Sequence, residues 1–157
     1  MEPFFFDTGG IDLFVDPNDR RLLTFWKRFP KNTRHFLSHI VYWEHLRQFS
    51  PNRNSLERQH FLHRVDRDGF EFLNFGRDEA DIAVDIYVGL KQRFPRTAAG
   101  KRRLKEMHCD IMIAAIAVSR DKRVLTADVG DWADIKLVVE AGKIGVLRVH
   151  DRKDITA

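Results

Sequence analysis

The stretch HCDIMIAAIAVSRDKRVLTADVGDW, residues 108–132, decides the fold class of this chain. Eight consecutive apolar residues, 111–118, predict a helix over 109–119 that is apolar on every side, and such a helix must pack between other elements. The segment VLTA then has the composition of an interior strand, which we expect over 123–127. A fully buried helix followed at once by a buried strand indicates an α/β domain.

Patterns elsewhere in the chain continue the same alternation of strands and helices. We expect strands over 3–6, 69–75 and 144–149, helices over 18–29, 77–94 and near 131–141, and a strand that runs into a helix within 35–49. Strands separated by helices of this length predict a mainly parallel sheet with helices on both faces. A single domain should span 1–150, and residues 151–157 should form a short polar tail.

Composition restricts the class of protein. The chain has 157 residues, 43% of them apolar, a formal charge of +4 and one cysteine, Cys109, so no disulfide can form within it. The N-terminal segment lacks the basic start of a signal peptide, and the longest apolar run is too short to cross a bilayer. We therefore expect a cytoplasmic protein without a membrane segment, and the mild positive charge permits an anionic partner.

Carboxylates stand at the edges of the buried segments. Asp7 and Asp128 each follow a predicted strand, and parallel strands present their carboxyl ends at one edge of the sheet, where ligands bind. Asp110 opens the apolar helix. Each also has a structural explanation, because Asp7 and Asp110 could be helix N-caps and Asp128 a turn residue.

Four motifs resemble, in order, those of the PIN-domain family and specifically of the VapC-like ribonuclease toxins. They are FFFDTG at 4–9, VYWEHL at 41–46, CDIMIAAIAV at 109–118 and LTADVGDW at 125–132. The resemblance spans roughly residues 3–149, and the last two motifs together are its most specific part. It implies a three-layer α/β/α PIN-like domain.

The resemblance also implies a set of site residues. Carried over position by position, the catalytic acids are Asp7, Glu44, Asp110 and Asp128, and the metal ligands are Asp7, Asp110, Asp128 and Asp131, with Asp131 a substitute for Asp128 or a supplement to it. Thr8 and Thr126 would support the site. Gly9 departs from the family pattern, which often has Asn or Ser there.

A cluster of this kind requires a compensating charge. Two carboxylates about 6 Å apart repel by on the order of 2–3 kcal/mol at an effective dielectric near 20. Either some of the acids stay protonated or a divalent cation neutralises them, and hard oxygen ligands favour Mg2+ or Mn2+.

The segment KQRFPRTAAGKRRLK, 91–105, holds seven basic residues and leads straight to Asp110. We expect a loop over RFPRTAAGKRRLKE, 93–106, in which Arg96, Lys101, Arg102 and Arg103 hold RNA phosphates beside the metal. The alternative is a solvated charged loop.

The expected function is that of a Mg2+- or Mn2+-dependent endoribonuclease. The resemblance implies the toxin of a type II toxin-antitoxin pair, a homodimer inhibited by a cognate antitoxin, with transfer or ribosomal RNA as substrate. A housekeeping RNA-processing nuclease of the same fold and a non-catalytic binding domain remain alternatives.

Overall fold

Five parallel strands form the central sheet of the computed structural model, which describes residues 1–12, 18–49 and 55–157. The strands are β1 (Phe4–Phe6), β2 (Phe36–Ser38), β3 (Glu71–Leu73), β4 (Arg123–Thr126) and β5 (Arg148–Asp151), in the spatial order β3-β2-β1-β4-β5. Every neighbouring pair is parallel. The expected α/β class with a parallel sheet is confirmed.

Helices connect these strands, as parallel pairing requires. They are α1 (Thr8–Ile11), α2 (Arg20–Lys27), α3 (His39–Leu46), α4 (Ser55–Asp68), α5 (Arg77–Arg93), α6 (Ala98–Glu106), α7 (His108–Ser119), α8 (Val129–Ala141) and α9 (Arg152–Thr156). Among the described residues, no helix combines the length and the apolar character needed to span a membrane.

β1 is the central strand, and its three phenylalanines are completely buried. Phe5 lies in register with Phe36 of β2 on one side and with Val124 of β4 on the other. An interior parallel strand is covered on both faces, which explains a continuous apolar run instead of an alternating one. The backbone N–H of Phe4 donates to Nδ1 of the buried His35 at 3.1 Å, which fixes the chain just before β2.

α7 is the buried helix that the apolar run predicts. Its residues 113–117 are inaccessible to solvent, and it packs along α5. The buried Glu79 joins the two helices, because its carboxylate accepts from Ser119 Oγ at 2.7 Å and lies 3.2 Å from Arg120 Nε. The C-terminal end of α7 is therefore attached to the first turn of α5.

The expectation of a basic loop over 93–106 is wrong for most of its length. α5 ends at Arg93, close to the expected 94, but α6 begins after Thr97, whose hydroxyl accepts from the backbone N–H of Gly100 at 3.1 Å. The stretch AAGKRRLKE consists largely of strong helix formers, but it has a single large apolar residue, Leu104, and so lacks the periodicity that would have revealed it.

Other boundaries also differ from the sequence expectations. The last strand begins at Arg148 instead of 144, and residues 152–156 form α9, where Ile155 is buried. Arg28 of α2 donates to the carbonyls of Asp154 and Ala157, so the segment expected to be a polar tail packs on the domain. The helix α4 was not anticipated.

The substitution Gly10→Ala tests how closely α1 approaches the sheet. A Cβ at this position would lie 2.2 Å from the carbonyl oxygen of Leu125 in β4, so a side chain requires the backbone to move. We expect Gly10→Ala to lower the free energy of unfolding by about 2 kcal/mol or more, measured by urea denaturation. Gly130→Ala is the matched control, because a Cβ there would have its nearest contact at 3.4 Å. Equal stability of the two variants would contradict this packing.

Candidate metal centre

Asp7 is the acid at the end of the central strand, and it is only 5% exposed. Its Oδ1 accepts from the backbone N–H of Gly10 at 2.7 Å, which makes Asp7 the N-cap of α1, and its Oδ2 accepts from Trp132 Nε1 at 3.0 Å. Thr126 adds a side-chain hydrogen bond. Burial raises the pKa of Asp7 to about 6, against the opposite effect of these three donors.

Thr126 connects Asp7 with the end of the neighbouring strand. Its hydroxyl oxygen accepts from the backbone N–H of Asp128 at 3.0 Å, and the side chain is completely buried. Thr126 therefore occupies the supporting position that the sequence predicts, between the first acid and the turn that begins α8.

Glu44 reaches the same edge of the sheet from α3. Its Oε2 accepts a short hydrogen bond from Thr8 Oγ1, and its Oε1 lies 3.9 Å from Arg47 Nη2. Glu44 faces α1, where it contacts Thr8, and not the core of the domain. The contact with Thr8 places the second predicted supporting residue between α1 and α3.

Asp110 is the electrostatic centre of the group. It lies in the first turn of α7, where Met107 occupies the N-cap position, so the alternative that Asp110 is the cap is wrong. Burial, followed by repulsion from Asp7, Glu44, Asp131 and Asp128, raises the pKa of Asp110 to about 7. The other acids, which belong to three different motifs, thus all raise the pKa of the Asp110 carboxyl group.

Asp128 and Asp131 lie at the start of α8 and are both exposed. Asp128 is the N-cap, and its Oδ1 accepts from the backbone N–H of Asp131 at 3.5 Å. Burial and the neighbouring Asp128 raise the pKa of Asp131, whereas Arg103 lowers it. Both side chains are near enough to affect Asp110, so the geometry keeps both as candidates for the fourth acid.

The donor set fits a hard divalent cation in its chemistry. All five side chains offer carboxylate oxygens, and after burial it is repulsion from the other four that raises the pKa of Asp110 to about 7. Within residues 1–12, 18–49 and 55–157, however, no three His, Cys, Asp or Glu side chains form a group close enough to hold a metal ion. The acids thus share one electrostatic environment and do not form a closed ligand shell.

The basic residues predicted to bind RNA do not form one cluster. Arg103 lies beside the acids, where its Nη2 is 2.6 Å from Asp134 Oδ2 and its guanidinium stacks 4.7 Å from the centre of the Phe94 ring. Arg96 and Lys101 line a separate groove between α5 and α6, and Arg102 is exposed on α6.

Sequence reasoning assigned no role to two residues that contact the site. Trp132 ends the fourth motif, and its position there was the available signal for its hydrogen bond to Asp7. Arg152 of α9 donates to the carbonyl of Gly9 at 2.8 Å, and no sequence signal identified it. Gly9 itself packs against β4, since a Cβ there would lie 3.0 Å from the Cβ of Ala127. A side chain at position 9 would therefore require Ala127 to shift slightly.

Comparisons with known proteins agree with this architecture at the level of structure. No protein-family model matches the sequence, and no curated protein matches it. Solved structures do match. Among them is DNA-bound VapBC from Salmonella typhimurium, with a TM-score of 0.65, 22% identity and coverage of 97% of this chain and 99% of that chain.

Two further matches are of the same kind. VapBC-1 from nontypeable Haemophilus influenzae gives a TM-score of 0.66 at 17% identity, over 96% of this chain and 98% of that chain. FitAcB from Neisseria gonorrhoeae gives a TM-score of 0.64 at 17% identity, over 96% of this chain and 98% of that chain. Identities this low show the fold alone. The chain therefore has the same fold as these VapBC and FitAcB chains, and the expected three-layer α/β fold with a parallel sheet is confirmed.

Asp110→Asn tests the cost of ionising a buried carboxyl group among four other acids. A carboxyl group whose pKa is raised in the folded state binds more protons there than in the unfolded chain, so its contribution to stability falls as pH rises from about 4 to about 7. In a chelator, we expect Asp110→Asn to be more stable than the wild type at pH 8, by on the order of 1 kcal/mol after solvent screening, and the difference to vanish near pH 4. Thermal unfolding across this pH range measures it.

Asp85→Asn is the control for this experiment, because Asp85 is an exposed aspartate in the middle of α5. It should show no comparable gain in stability at pH 8. A gain in both variants, or a loss in Asp110→Asn at pH 8, would contradict the clustering of the acids.

Trp132→Phe tests how Asp7 is held. The substitution keeps the buried ring and removes the Nε1 donor, so the pKa of Asp7 should rise further above about 6. A 13C NMR titration of the Asp7 carboxyl measures this shift. Trp26→Phe, which changes a partly buried tryptophan on α2, should leave that titration unchanged.

Proposed function

We propose that this chain is a VapC-like toxin that cleaves RNA as a Mg2+- or Mn2+-dependent endoribonuclease. The observation that carries the proposal is the convergence on Asp110 of four other acids from distant parts of the chain. They gather at the carboxyl edge of a parallel sheet, the usual ligand-binding edge of such folds. The structural matches support a nuclease of this type through the fold that they share with the chain.

Asp7, Asp110 and either or both of Asp128 and Asp131 would hold the ion. When bound, the metal supplies a positive centre that orients a water molecule and stabilises the charge that develops on the phosphate during hydrolysis. Three donors hold Asp7 in one orientation, so its carboxylate is positioned before any ligand arrives.

Glu44 is the acid that the proposed metal ligands leave available for proton transfer. The Thr8 hydroxyl orients Glu44 toward α1. Because Glu44 also raises the pKa of Asp110, the carboxyl groups of Glu44 and Asp110 border the same part of the site. Direct attack by water requires no covalent intermediate with the protein.

Basic side chains around α6 would bind the RNA backbone. Arg103 lies next to Asp131, and Arg96, Lys101 and Arg102 extend the positive surface away from the acids. Contacts of this kind weaken as salt rises, because each one releases counterions from the nucleic acid. Transfer and ribosomal RNA are the candidate substrates.

A cognate antitoxin is the proposed partner, and a homodimer the proposed assembly. The similar structures carry the names VapBC, FitAB and FitAcB, and three of them are described as bound to DNA. By analogy, a segment of the antitoxin would cover the acidic edge of the sheet and neutralise it in place of the metal. Growth arrest on induced expression, relieved by a co-expressed neighbouring gene product, would distinguish a toxin from a housekeeping nuclease.

Cleavage of an end-labelled total RNA pool tests the nuclease directly. We expect cleavage with Mg2+ or Mn2+, none with chelator, and a loss of at least a hundredfold in Asp110→Asn, because that substitution removes the central acid. Asp85→Asn should cleave like the wild type. Cleavage that persists in chelator, or in Asp110→Asn at the wild-type rate, would exclude the metal mechanism.

A further inference from the structure

Arg152 connects the C-terminal helix α9 to the acidic edge of the sheet. It stands directly after β5, and parallel strands present their carboxyl ends at one edge. Its Nη1 donates to the carbonyl oxygen of Gly9 at 2.8 Å. Because β4 lies between β1 and β5, this bond joins segments that follow two strands that are not neighbours in the sheet.

The peptide group between Gly9 and Gly10 forms hydrogen bonds at both of its ends. Its carbonyl oxygen accepts from Arg152, and its N–H donates to Oδ1 of Asp7 at 2.7 Å. A peptide group is planar, so rotating the unit would break both bonds together. A guanidinium on the carbonyl also polarises the peptide and strengthens its N–H as a donor. Arg152 therefore acts on the Asp7 carboxylate through a single peptide group.

This peptide group has little rigidity of its own. A glycine flanks it on each side, and glycine is the residue with the greatest backbone freedom. The helix α1 has four residues, which is too short for a helix to be stable by itself. A stiffer residue does not fit at position 10, because a Cβ there would lie 2.2 Å from the carbonyl oxygen of Leu125. The direction of the donor to Asp7 thus depends on a restraint from outside α1.

The helix α9 can supply this restraint because it is itself attached to the domain. Its residue Ile155 is buried. Arg28 of α2 donates to the carbonyl oxygens of Asp154 and Ala157, at 3.3 and 3.1 Å. These contacts fix the C-terminal end of α9, and Arg152 at its other end reaches α1.

We propose that Arg152 is a positioning residue of the metal centre, which fixes the Asp7 carboxylate by binding the peptide group that donates to it. The inference rests on the proposed function, in which Asp7 is a metal ligand. Residues that orient metal ligands from behind affect the metal affinity strongly. The sign of the effect is diagnostic, because removing a positive charge near the site would by itself strengthen the binding of a cation. Loss of the positioning contact weakens it instead.

The amide group of Gly10 tests the contact without metal or RNA. The chain has nine glycines, so glycine-selective 15N labelling gives a simple NMR spectrum. Arg152→Met keeps the aliphatic stem and removes the guanidinium. In chelator, we expect this variant to shift the Gly10 amide proton upfield and to speed its exchange with solvent, because its bond to Asp7 is weakened. Arg28→Met is the matched control, since Arg28 binds the other end of α9, and both quantities should stay unchanged.

The affinity for Mn2+ tests the consequence for the site. It is measured from the EPR signal of free Mn2+ during titration of each variant. We expect Arg152→Met to bind Mn2+ about tenfold more weakly than the wild type. Arg152→Lys keeps the charge and one donor, so its affinity should lie closer to the wild type. Arg28→Met should bind like the wild type, and thermal unfolding checks the folding of every variant.

Three results would overturn the proposal. The first is an unchanged Gly10 amide in Arg152→Met, and the second is a Mn2+ affinity that is unchanged or higher in that variant. The third is an equal loss of affinity in Arg28→Met, which would make the attachment of α9 the cause. If Arg152→Met does not fold, Arg152→Gln takes its place with the same expected results. A wild-type chain that binds no Mn2+ would reject the proposed function, and the Gly10 amide would still decide whether Arg152 holds this peptide group.

Discussion

A carboxylate buried at the end of the central strand is the constraint on which the site depends. Asp7 follows three inaccessible phenylalanines and is itself almost completely buried, so its charge must be met by hydrogen-bond donors. The donors come from three places: the backbone of α1, Thr126 at the end of β4 and Trp132 in α8. Satisfying one carboxylate thereby fixes the relative positions of three elements around the edge of the sheet.

The remaining acids add charge to an edge that is already anionic. Burial, together with repulsion from four neighbouring acids, raises the pKa of Asp110, so ionising this carboxyl group lowers the stability of the folded state. The cluster therefore opposes folding, and it requires stabilisation from elsewhere in the domain. Uncompensated charge of this kind is characteristic of sites that bind a ligand, because the ligand removes the repulsion.

Sequence patterns predicted the centre of the domain better than its periphery. The segments 4–6 and 113–117 are inaccessible to solvent, so composition alone identified them. The geometry of parallel sheets assigned Asp7 and Asp128 to one edge, whereas Asp110 and Glu44 were assigned to it by the resemblance of their motifs. α6 and α9 were missed because each buries few large side chains and leaves little periodicity. Arg152 was missed for a related reason, since its contact with the carbonyl of Gly9 joins positions 143 residues apart.

The two ends of α7 show how the domain tolerates its acidic edge. At the C-terminal end, burial alone would raise the pKa of Glu79, but hydrogen bonds from Ser119 and the Gly76 backbone, together with Arg120, lower it instead. At the N-terminal end, Asp110 faces like charges and its pKa is raised. Asp110 and Ser119, the residue that contacts Glu79, thus lie on one buried helix, roughly 14 Å apart along its axis at a rise of about 1.5 Å per residue. Because the compensated end anchors α7 to α5, the repulsion at the other end cannot relax by moving the helix, and Asp110 stays where a cation would relieve it.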